Sequence, residues 1–316
     1  MTESPFVSFG QNREDVVLWR ALGDLATGRY VEVGANDPVE DSMTKVFHDR
    51  GWSGLLVEPV PEFATRLKEH RPLDIVVQAA VVDRDGPCTL HTLAGTGLST
   101  VVESVREAHS AAGLQPEELH VDGRRLDSIL AAEGWDTEDV HLLVVDAEGA
   151  EAQVLDSVDL TKWRPWVMVV ESTFPNSREQ THTQWEPILV SAGYRHCLFD
   201  GVSRFYVAEE HAERLAPLLS YPACALDSFV SDEVAELKAR EAALTSELLR
   251  WRRLALQQWA KNMAEDAAEV RRLKDTVIAL SATANQAHAE VGRIHDTLSW
   301  KVTKPLRAAR RLDPRR

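Results

Sequence analysis

A stretch without glycine or proline constrains the fold of this chain most strongly. The 16 glycines and 14 prolines of the sequence all lie outside residues 223–291. Because these two residue types interrupt helices, their absence over such a length predicts a long helix. A continuous helix here would extend for about 100 Å, since each residue adds about 1.5 Å.

Apolar residues in this stretch repeat at the spacing of a coiled coil. In the second half they recur at intervals of three and four, at Val270, Leu273, Val277, Leu280, Ala284, Ala287, Val291, Ile294 and Leu298. An upstream seam, formed by Val230, Val234, Leu237, Leu244, Leu248 and Trp251, has a different phase. We therefore expect a stutter, a bend or a reversal near Trp251–Met263. Either the chain folds back or a second copy covers the seam, and we expect a homo-oligomer.

The preceding part of the chain alternates short apolar runs with segments of helical length. The predicted strands are Tyr30–Val33, Gly54–Val57, Ile75–Val82, His141–Val145, Val167–Val170 and Arg204–Val207, and the predicted helices include Val16–Leu22, Ser42–Arg50, Glu62–His70 and Leu126–Glu133. Nearly continuous Val- and Leu-rich runs are typical of strands buried on both faces of a parallel sheet. The rhythm predicts a doubly wound α/β domain. We predict this domain over residues 1–225, a coiled-coil region over 226–298 and a basic tail over 299–316.

The net charge and the cysteines argue against several classes of partner and site. The formal net charge of −15 argues against a nucleic-acid partner, although the tail from Ser299 reverses the sign with two Lys and five Arg against one Asp. Cys88, Cys197 and Cys224 form no CxxC pair, so we expect neither a disulfide framework nor a cysteine zinc site. No apolar run approaches the ~20 residues of a membrane span, and the first residues do not resemble a signal peptide. We expect a cytoplasmic protein.

Two strand ends carry candidate residues for a nucleoside ligand. The first strand ends in Tyr30-Val-Glu-Val-Gly-Ala-Asn-Asp37, where Gly34 allows a ligand to approach the backbone closely. Glu58 ends the second strand, where an acidic residue about 20 positions beyond the glycine can hydrogen-bond both ribose hydroxyls. The GxGxxG loop of dinucleotide sites is missing, so the pair indicates a nucleoside without a diphosphate, most commonly S-adenosylmethionine. An ordinary turn at Gly34 and a solvated acid at Glu58 are the alternatives.

A later strand leads into the densest cluster of acidic residues. Its end reads Val144-Val-Asp146-Ala-Glu148-Gly-Ala-Glu151. Asp146 and Glu148 point the same way if the extended conformation persists. One of them can take the proton of a substrate hydroxyl, or both can face a sulfonium, and carboxylates also suit Mg²⁺. Alternatively, Glu148 and Glu151 stabilise the first turn of the next helix.

Two further residues are candidates with a weaker basis. Glu171 ends the next strand and either lines a substrate pocket or pairs with a basic neighbour. His182 follows in a polar loop and either acts as a base or is an exposed histidine without a chemical role. The histidines show no HExxH or comparable spacing, so we predict no histidine metal site, and a divalent metal at the carboxylates stays possible.

Several blocks of the sequence resemble the FkbM-type methyltransferases, from about Ser8 to Val230. They are Ser8–Trp19, Val31–Pro38, Asp41–Lys45, Gly51–Glu62, Gly97–Thr100, Asp146–Glu151 and Phe199–Tyr206. The resemblance implies a class I, Rossmann-like methyltransferase fold with a seven-stranded sheet whose last strand is antiparallel. Ser203 departs from the family, in which Asn is frequent at this position.

The resemblance also implies roles for individual residues. Glu32, Gly34 and Asn36 would hold the methionine part of S-adenosylmethionine, Glu58 the ribose and Ala80 the adenine. The cofactor site would further include Asp37, Ser42 and Pro59. Asp146 and Glu148 would lie beside the methyl group. A divalent metal is not implied.

The family resemblance leads to an expected activity. Its members usually methylate hydroxyls, and the segment Ser299-Trp-Lys-Val-Thr-Lys-Pro-Leu-Arg307 resembles a short ending found in proteins that build bacterial surface polysaccharides. We therefore expect an S-adenosylmethionine-dependent O-methyltransferase that acts on a sugar hydroxyl of a polysaccharide or glycolipid. Trp300, Val302 and Leu306 among basic residues could rest on the inner face of an anionic membrane, unless the tail is simply solvated.

Two other classes of protein compete with this interpretation. A catalytically retired scaffold would use the coiled coil to assemble a glycan-synthesis complex, although the intact Gly34, Glu58 and Asp146 argue against it. A nicotinamide-dependent oxidoreductase shares the fold class but is disfavoured by the missing glycine-rich loop.

Overall fold

The computed structural model of the chain describes residues 6–93, 99–102, 105–107, 110, 115–174 and 177–311. Gly97 and Leu98 of one resemblance block and the tail beyond Arg311 lie outside these residues. The chain divides into two compact units, Met1–Leu237 and Lys238–Arg316. Among the described helices, none combines the length and the apolar character that a membrane crossing requires.

Thirteen strands and ten α-helices are described. The strands are β1 (Phe6–Ser8), β2 (Arg29–Val33), β3 (Ser53–Val57), β4 (Ile75–Val77), β5 (Ala80–Val81), β6 (Gly86–Thr92), β7 (Ser99–Thr100), β8 (Glu117–Arg124), β9 (Leu142–Val145), β10 (Val167–Glu171), β11 (Tyr194–Phe199), β12 (Ser203–Ala208) and β13 (Phe229–Ser231). The helices are α1 (Glu14–Leu22), α2 (Lys45–His48), α3 (Pro61–His70), α4 (Leu126–Ala132), α5 (Glu151–Asp156), α6 (Glu186–Ser191), α7 (Ala212–Leu219), α8 (Asp232–Asp296), α9 (Leu298–Val302) and α10 (Lys304–Arg311).

A seven-stranded sheet forms the centre of the first unit, in the order β11-β12-β10-β9-β2-β3-β4. Strand β12 runs antiparallel to both of its neighbours, and the remaining pairs are parallel. The order changes direction between β2 and β9, because β3 lies on one side of β2 and β9 on the other. The predicted seven-stranded sheet with an antiparallel last strand is therefore confirmed.

The apolar runs fill the interior because both faces of the sheet are covered. In β9, Leu142 and Val144 belong to one hydrophobic cluster, whereas Leu143 and Val145 belong to the other. Helix α1 packs on the first of these faces and α4 and α5 on the second. Alternate residues of one strand thus enter two separate cores, which explains the continuous apolar sequence.

One predicted strand proved to be two. The apolar run 75–82 divides into β4, which extends the central sheet, and β5, which joins a second sheet of order β5-β8-β6-β7. Val77 pairs with Val57, the last residue of β3, so the edge of the central sheet offers no further partner. Ala80 and Val81 pair instead with β8. The predicted helix over 42–50 is also shorter, since α2 covers only Lys45–His48.

The long helix exists and is unbroken. Helix α8 has 65 residues and passes through 251–263 without interruption, so a reversal at that point is wrong. Val230 does not belong to a helical seam, because it lies in β13 and pairs with Val7 of β1. None of the described side chains of α8 is buried, and Leu273, Val277 and Leu280 are exposed. The coiled coil and the homo-oligomer stay predictions.

Candidate functional site

A cavity opens where strands β2, β3 and β9 end. Because parallel strands present their carboxyl ends at one edge, the loops after these strands meet there. Gly34, Glu58 and Asp146 all line the cavity, together with the predicted residues Glu32, Asn36, Pro59, Ala80 and Glu148. The three strand ends that the sequence singled out are thus brought together.

Gly34 sits at the closest approach between two of these loops. Its φ of +81° lies in the left-handed region. A Cβ atom at this position would lie 1.8 Å from the backbone oxygen of Asp146. The amide of Gly34 also donates to the Val57 oxygen at 2.9 Å. The turn therefore needs glycine for both conformation and space.

Glu58 organises the loop after β2. Its Oε2 accepts from the Asn36 amide and its Oε1 from the Val60 amide, both at 2.8 Å. Burial raises the pKa of Glu58 to about 7, although these two hydrogen bonds oppose the rise. Each carboxylate oxygen has a second lone pair, so both can still accept hydroxyl protons from a ligand.

Asp146 and Glu171 form a pair of carboxyl groups at the ends of neighbouring strands. Val170 pairs with Val145, so the residues that follow each of them, Glu171 and Asp146, lie side by side. Their side chains are hydrogen-bonded to each other, and burial followed by the charge of Asp146 raises the pKa of Glu171 well above its usual value. Burial raises the pKa of Asp146 only to about 6, because the hydrogen bond from Glu171 opposes the rise. The two carboxyl groups titrate as a pair, and their pKa shifts favour the proton on Glu171 over the proton on Asp146.

Glu148 and Glu151 differ from Asp146 in their environment. Glu148 adopts a left-handed φ of +49°, so the extended conformation of β9 does not continue to it. Burial, and then the charge of Asp146, raises the pKa of Glu148 to about 8, which leaves it mainly protonated at neutral pH. Glu151 accepts from the amides of Gly149 at 2.9 Å and Ala147 at 3.3 Å. Glu151 thus stabilises the turn before α5, as its alternative interpretation holds.

Four predicted residues are not among the described residues that line the cavity: Glu171, which lies beside Asp146, and Asp37, Ser42 and His182. Asp37 accepts from the amides of Val39 and Glu40 and pairs with Arg66. Ser42 is buried and accepts from the Arg71 guanidinium at 2.7 Å. His182 lies in a short 3₁₀ helix with its Nε2 3.9 Å from the Glu186 carboxylate. Asp37 and Ser42 are held by arginines distant in the sequence, Arg66 and Arg71, whereas the partner of His182 is only four residues away.

Other residues of the cavity were not singled out from the sequence. They are Val33, Ala35, Glu40, Asp41, Met43, Val57, Ala79, Val81, Leu90, Ser99, Val101, Val144, Ala147 and Ala150. Asp41 had one signal, its place in a resemblance block. Leu90 and Ser99 come from β6 and β7 of the second sheet, which the sequence did not predict.

Strained backbone is concentrated around this cavity. Of the five described non-glycine residues with positive φ, three line it: Asn36, Asp41 and Glu148. Arg13 is the fourth residue with positive φ. It follows Gly10 by three residues, and Gly10 forms an isolated β-bridge with Asp41. Left-handed non-glycine residues persist where surrounding contacts hold them, and they are common at ligand sites.

Beside the carboxyl pair lies a group of buried polar atoms without partners. Ser203 pairs with Glu171 in the ladder, so the two side chains share one face of the sheet. Ser203 and Glu14 are fully buried. Ser203 Oγ, Glu14 Oε1, Glu171 Oε2 and Asp200 Oδ2 have no hydrogen-bond partner within the described part of the chain. Such atoms are expected where a polar ligand or water completes a site.

The strand order, the single reversed strand and the cavity at the strand ends define a class I methyltransferase fold. The domain model described as "Methyltransferase FkbM domain" matches residues 32–196, just over half of the chain. The chain therefore belongs to the FkbM methyltransferase family. No described group of three or more His, Cys, Asp or Glu side chains is arranged to hold a metal ion.

Comparison with solved structures gives distant matches. A TehB-like SAM-dependent methyltransferase from Corynebacterium glutamicum is 9% identical with a TM-score of 0.35, over 62% of this chain and 87% of that one. The putative methyltransferase yhhF from Escherichia coli is 13% identical with a TM-score of 0.33, over 66% and 89%. CalO1, a methyltransferase of calicheamicin biosynthesis in its SAH-bound form, is 14% identical with a TM-score of 0.29, over 62% and 53%. A search of curated proteins found no match.

Proposed function

We propose that the protein transfers a methyl group from S-adenosylmethionine to a hydroxyl, on a sugar of a surface polysaccharide or glycolipid. The observation that carries the proposal is that the described lining of the cavity is rich in carboxyl groups and has no cationic side chain. Its described lining includes six carboxyl groups, on Glu32, Glu40, Asp41, Glu58, Asp146 and Glu148, and no Lys, Arg or His. Such a lining suits a cationic sulfonium and opposes a diphosphate, which argues against a nicotinamide dinucleotide.

The lining residues match the parts of S-adenosylmethionine in order along the strand ends. Ala80, Val81 and Leu90 offer an apolar surface to adenine. Glu58 can accept from the two ribose hydroxyls, and the backbone at Gly34–Asn36 can approach the methionine part. Asp146 and Glu148 then face the sulfonium.

The carboxyl pair supplies the base that hydroxyl methylation requires. When bound, S-adenosylmethionine would supply the methyl group as an electrophile, and breaking of its sulfur–methyl bond would leave S-adenosylhomocysteine. Asp146 accepts the proton of the acceptor hydroxyl as the oxygen becomes bonded to carbon, and Glu171 keeps its own proton on the hydrogen bond to Asp146. Glu148 is a weaker candidate for the base because it is largely protonated at neutral pH.

The acceptor is proposed to lie beside the carboxyl pair, on the side opposite the cofactor cavity. Ser203 is paired with Glu171 in the sheet, Asp200 accepts from the Ser203 amide at 2.8 Å, and the charge of Asp200 contributes to the raised pKa of Glu14, so the unpartnered atoms of these residues extend from the carboxyl pair. Of the nearby guanidinium groups, Arg13 donates to the Gly10 oxygen and lies 3.8 Å from Glu233. A neutral polyhydroxylated acceptor, such as a sugar, can satisfy these oxygens without adding negative charge.

Replacing Glu58 with alanine is expected to weaken S-adenosylmethionine binding about 10–100-fold, because two hydrogen bonds to a charged group are lost. Titration calorimetry measures the affinity, and thermal shifts with S-adenosylmethionine, S-adenosylhomocysteine and NAD test the ligand class. Glu62→Ala, an exposed glutamate of α3, is the matched control. Unchanged affinity in Glu58→Ala would remove Glu58 from the ribose site, and a thermal shift with NAD alone would overturn the proposed donor.

Activity is expected to rise with pH through about 6, because Asp146 must be ionised and its pKa lies near that value. In Glu171→Ala the hydrogen bond that lowers this pKa is gone, so the rise in kcat/KM should move to higher pH. Glu171→Gln keeps a donor and should leave the rise near its original pH. Identical pH profiles for both variants would show that Glu171 does not tune Asp146.

A further inference from the structure

Residues 298–311 form a helical segment with an apolar stripe and many basic residues. Helices α9 and α10 follow each other, and the Thr303 amide donates to Ser299 and the Arg307 amide to Thr303 across their junction. Leu298, Val302 and Leu306 are spaced four apart, so they form one stripe. Their exposures are 82%, 69% and 73%, which are high for large apolar side chains.

This stripe shares Leu298 with the predicted seam but does not continue the seam beyond that residue. Helix α8 ends at Asp296, and Thr297 is extended, with its hydroxyl capping α9 by accepting from the Trp300 amide at 3.3 Å. The seam repeats at intervals of three and four, whereas the stripe repeats at four and four. A coiled-coil partner that follows the seam would therefore not cover Val302 and Leu306.

Basic residues dominate the rest of the segment. Residues 298–311 include Lys301, Lys304, Arg307, Arg310 and Arg311 and no acidic residue, in a chain with a net charge of −15. Lys301 and Lys304 are exposed. Trp300 lies outside the apolar stripe, with Arg307 stacked on its ring at 3.6 Å and His295 packed beside it.

We propose that residues 298–311 bind the surface of an anionic lipid bilayer, with Leu298, Val302 and Leu306 inserted between headgroups. A short helix with an apolar stripe and a cationic remainder lies in the plane of such an interface. Its basic side chains gain from the negative surface potential, which falls off within a screening length. Lipid covers the stripe without requiring a protein partner, and the proposal does not depend on methyl transfer.

Cosedimentation of the full chain with vesicles tests the proposal. We expect binding to an equal mixture of phosphatidylcholine and phosphatidylglycerol, and at least about tenfold weaker binding to phosphatidylcholine alone. Binding should also fall at about 1 M salt, where the screening length is about 3 Å. The proposal is wrong if the wild-type protein does not bind the anionic vesicles or binds both kinds of vesicle equally.

Two variants separate the apolar and the basic contributions. The double changes Val302→Asp with Leu306→Asp, and Lys301→Glu with Lys304→Glu, should each weaken binding at least about tenfold. Leu226→Asp is the matched control, because Leu226 is 91% exposed and lies outside the segment. The alternative is that a second copy of the chain covers the apolar stripe. Sedimentation velocity of the same proteins tests this alternative. If Val302→Asp with Leu306→Asp reduces self-association and leaves vesicle binding intact, the proposal is wrong.

Discussion

Replacing Asp146 with asparagine is expected to lower the rate of methyl transfer by about 10²–10⁴-fold. Asparagine has nearly the same shape but cannot accept the hydroxyl proton, and at neutral pH it replaces the ionised member of the carboxyl pair. Binding of S-adenosylmethionine should survive, because Glu58 and the Gly34 loop are untouched. Calorimetry measures the cofactor affinity, and formation of S-adenosylhomocysteine with cell-envelope glycan as acceptor measures the rate.

Asp136→Asn is the matched control for this change. It removes the same charge from an exposed side chain in the loop that leads into β9, away from the strand ends that form the cavity. Full activity in Asp146→Asn would end the candidacy of Asp146 as the base. Wild-type protein that binds the cofactor but methylates no hydroxyl acceptor would favour the assembly role instead.

Replacing Gly34 with alanine is expected to destabilise the fold by about 2–5 kcal/mol and to abolish cofactor binding. The estimate combines a left-handed alanine, at about 1–2 kcal/mol, with overpacking, at about 1–3 kcal/mol. The new methyl group would lie 1.8 Å from the Asp146 oxygen, so the loops after β2 and β9 must move apart. Urea unfolding measures the stability and calorimetry the binding.

Gly51→Ala separates the two contributions. Gly51 has a φ of +85°, close to the +81° of Gly34, but no described atom lies within 4 Å of its added Cβ. It should lose only the about 1–2 kcal/mol of the left-handed conformation and keep its affinity. Equal losses in both variants would show that the close approach to Asp146 is unimportant.

The central sheet could be predicted because both faces of its strands are buried. Two covered faces require an apolar residue at every position, as in Leu142–Val145, and such runs are visible in a single sequence. Strand β8 was missed because its sequence, Glu-Glu-Leu-His-Val-Asp-Gly-Arg, is largely polar and partly exposed. Its pairing with β6 depends on contacts that leave no apolar pattern.

Some features of the candidate site could likewise be predicted from the sequence, and others could not. Gly34, Glu58 and Asp146 could be predicted to converge, because the carboxyl ends of parallel strands meet at one edge. The hydrogen bond between Asp146 and Glu171 could not, since it depends on the register of β9 against β10. Ser42 was predicted as a cofactor residue, but it is not among the described residues that line the cavity. The buried Arg71, at the end of α3, donates a hydrogen bond to its hydroxyl instead.

The raised pKa values of the cavity have a thermodynamic consequence for ligand capture. Burial raises the pKa of both Glu32 and Glu58 to about 7, so an empty cavity at neutral pH retains hydrogen ions on part of its lining. A positively charged ligand that donates hydrogen bonds stabilises the ionised Glu32 and Glu58 carboxylates. Its binding therefore releases their protons to the solvent. Complex formation is then linked to deprotonation, and affinity must increase as the medium becomes more alkaline across this range.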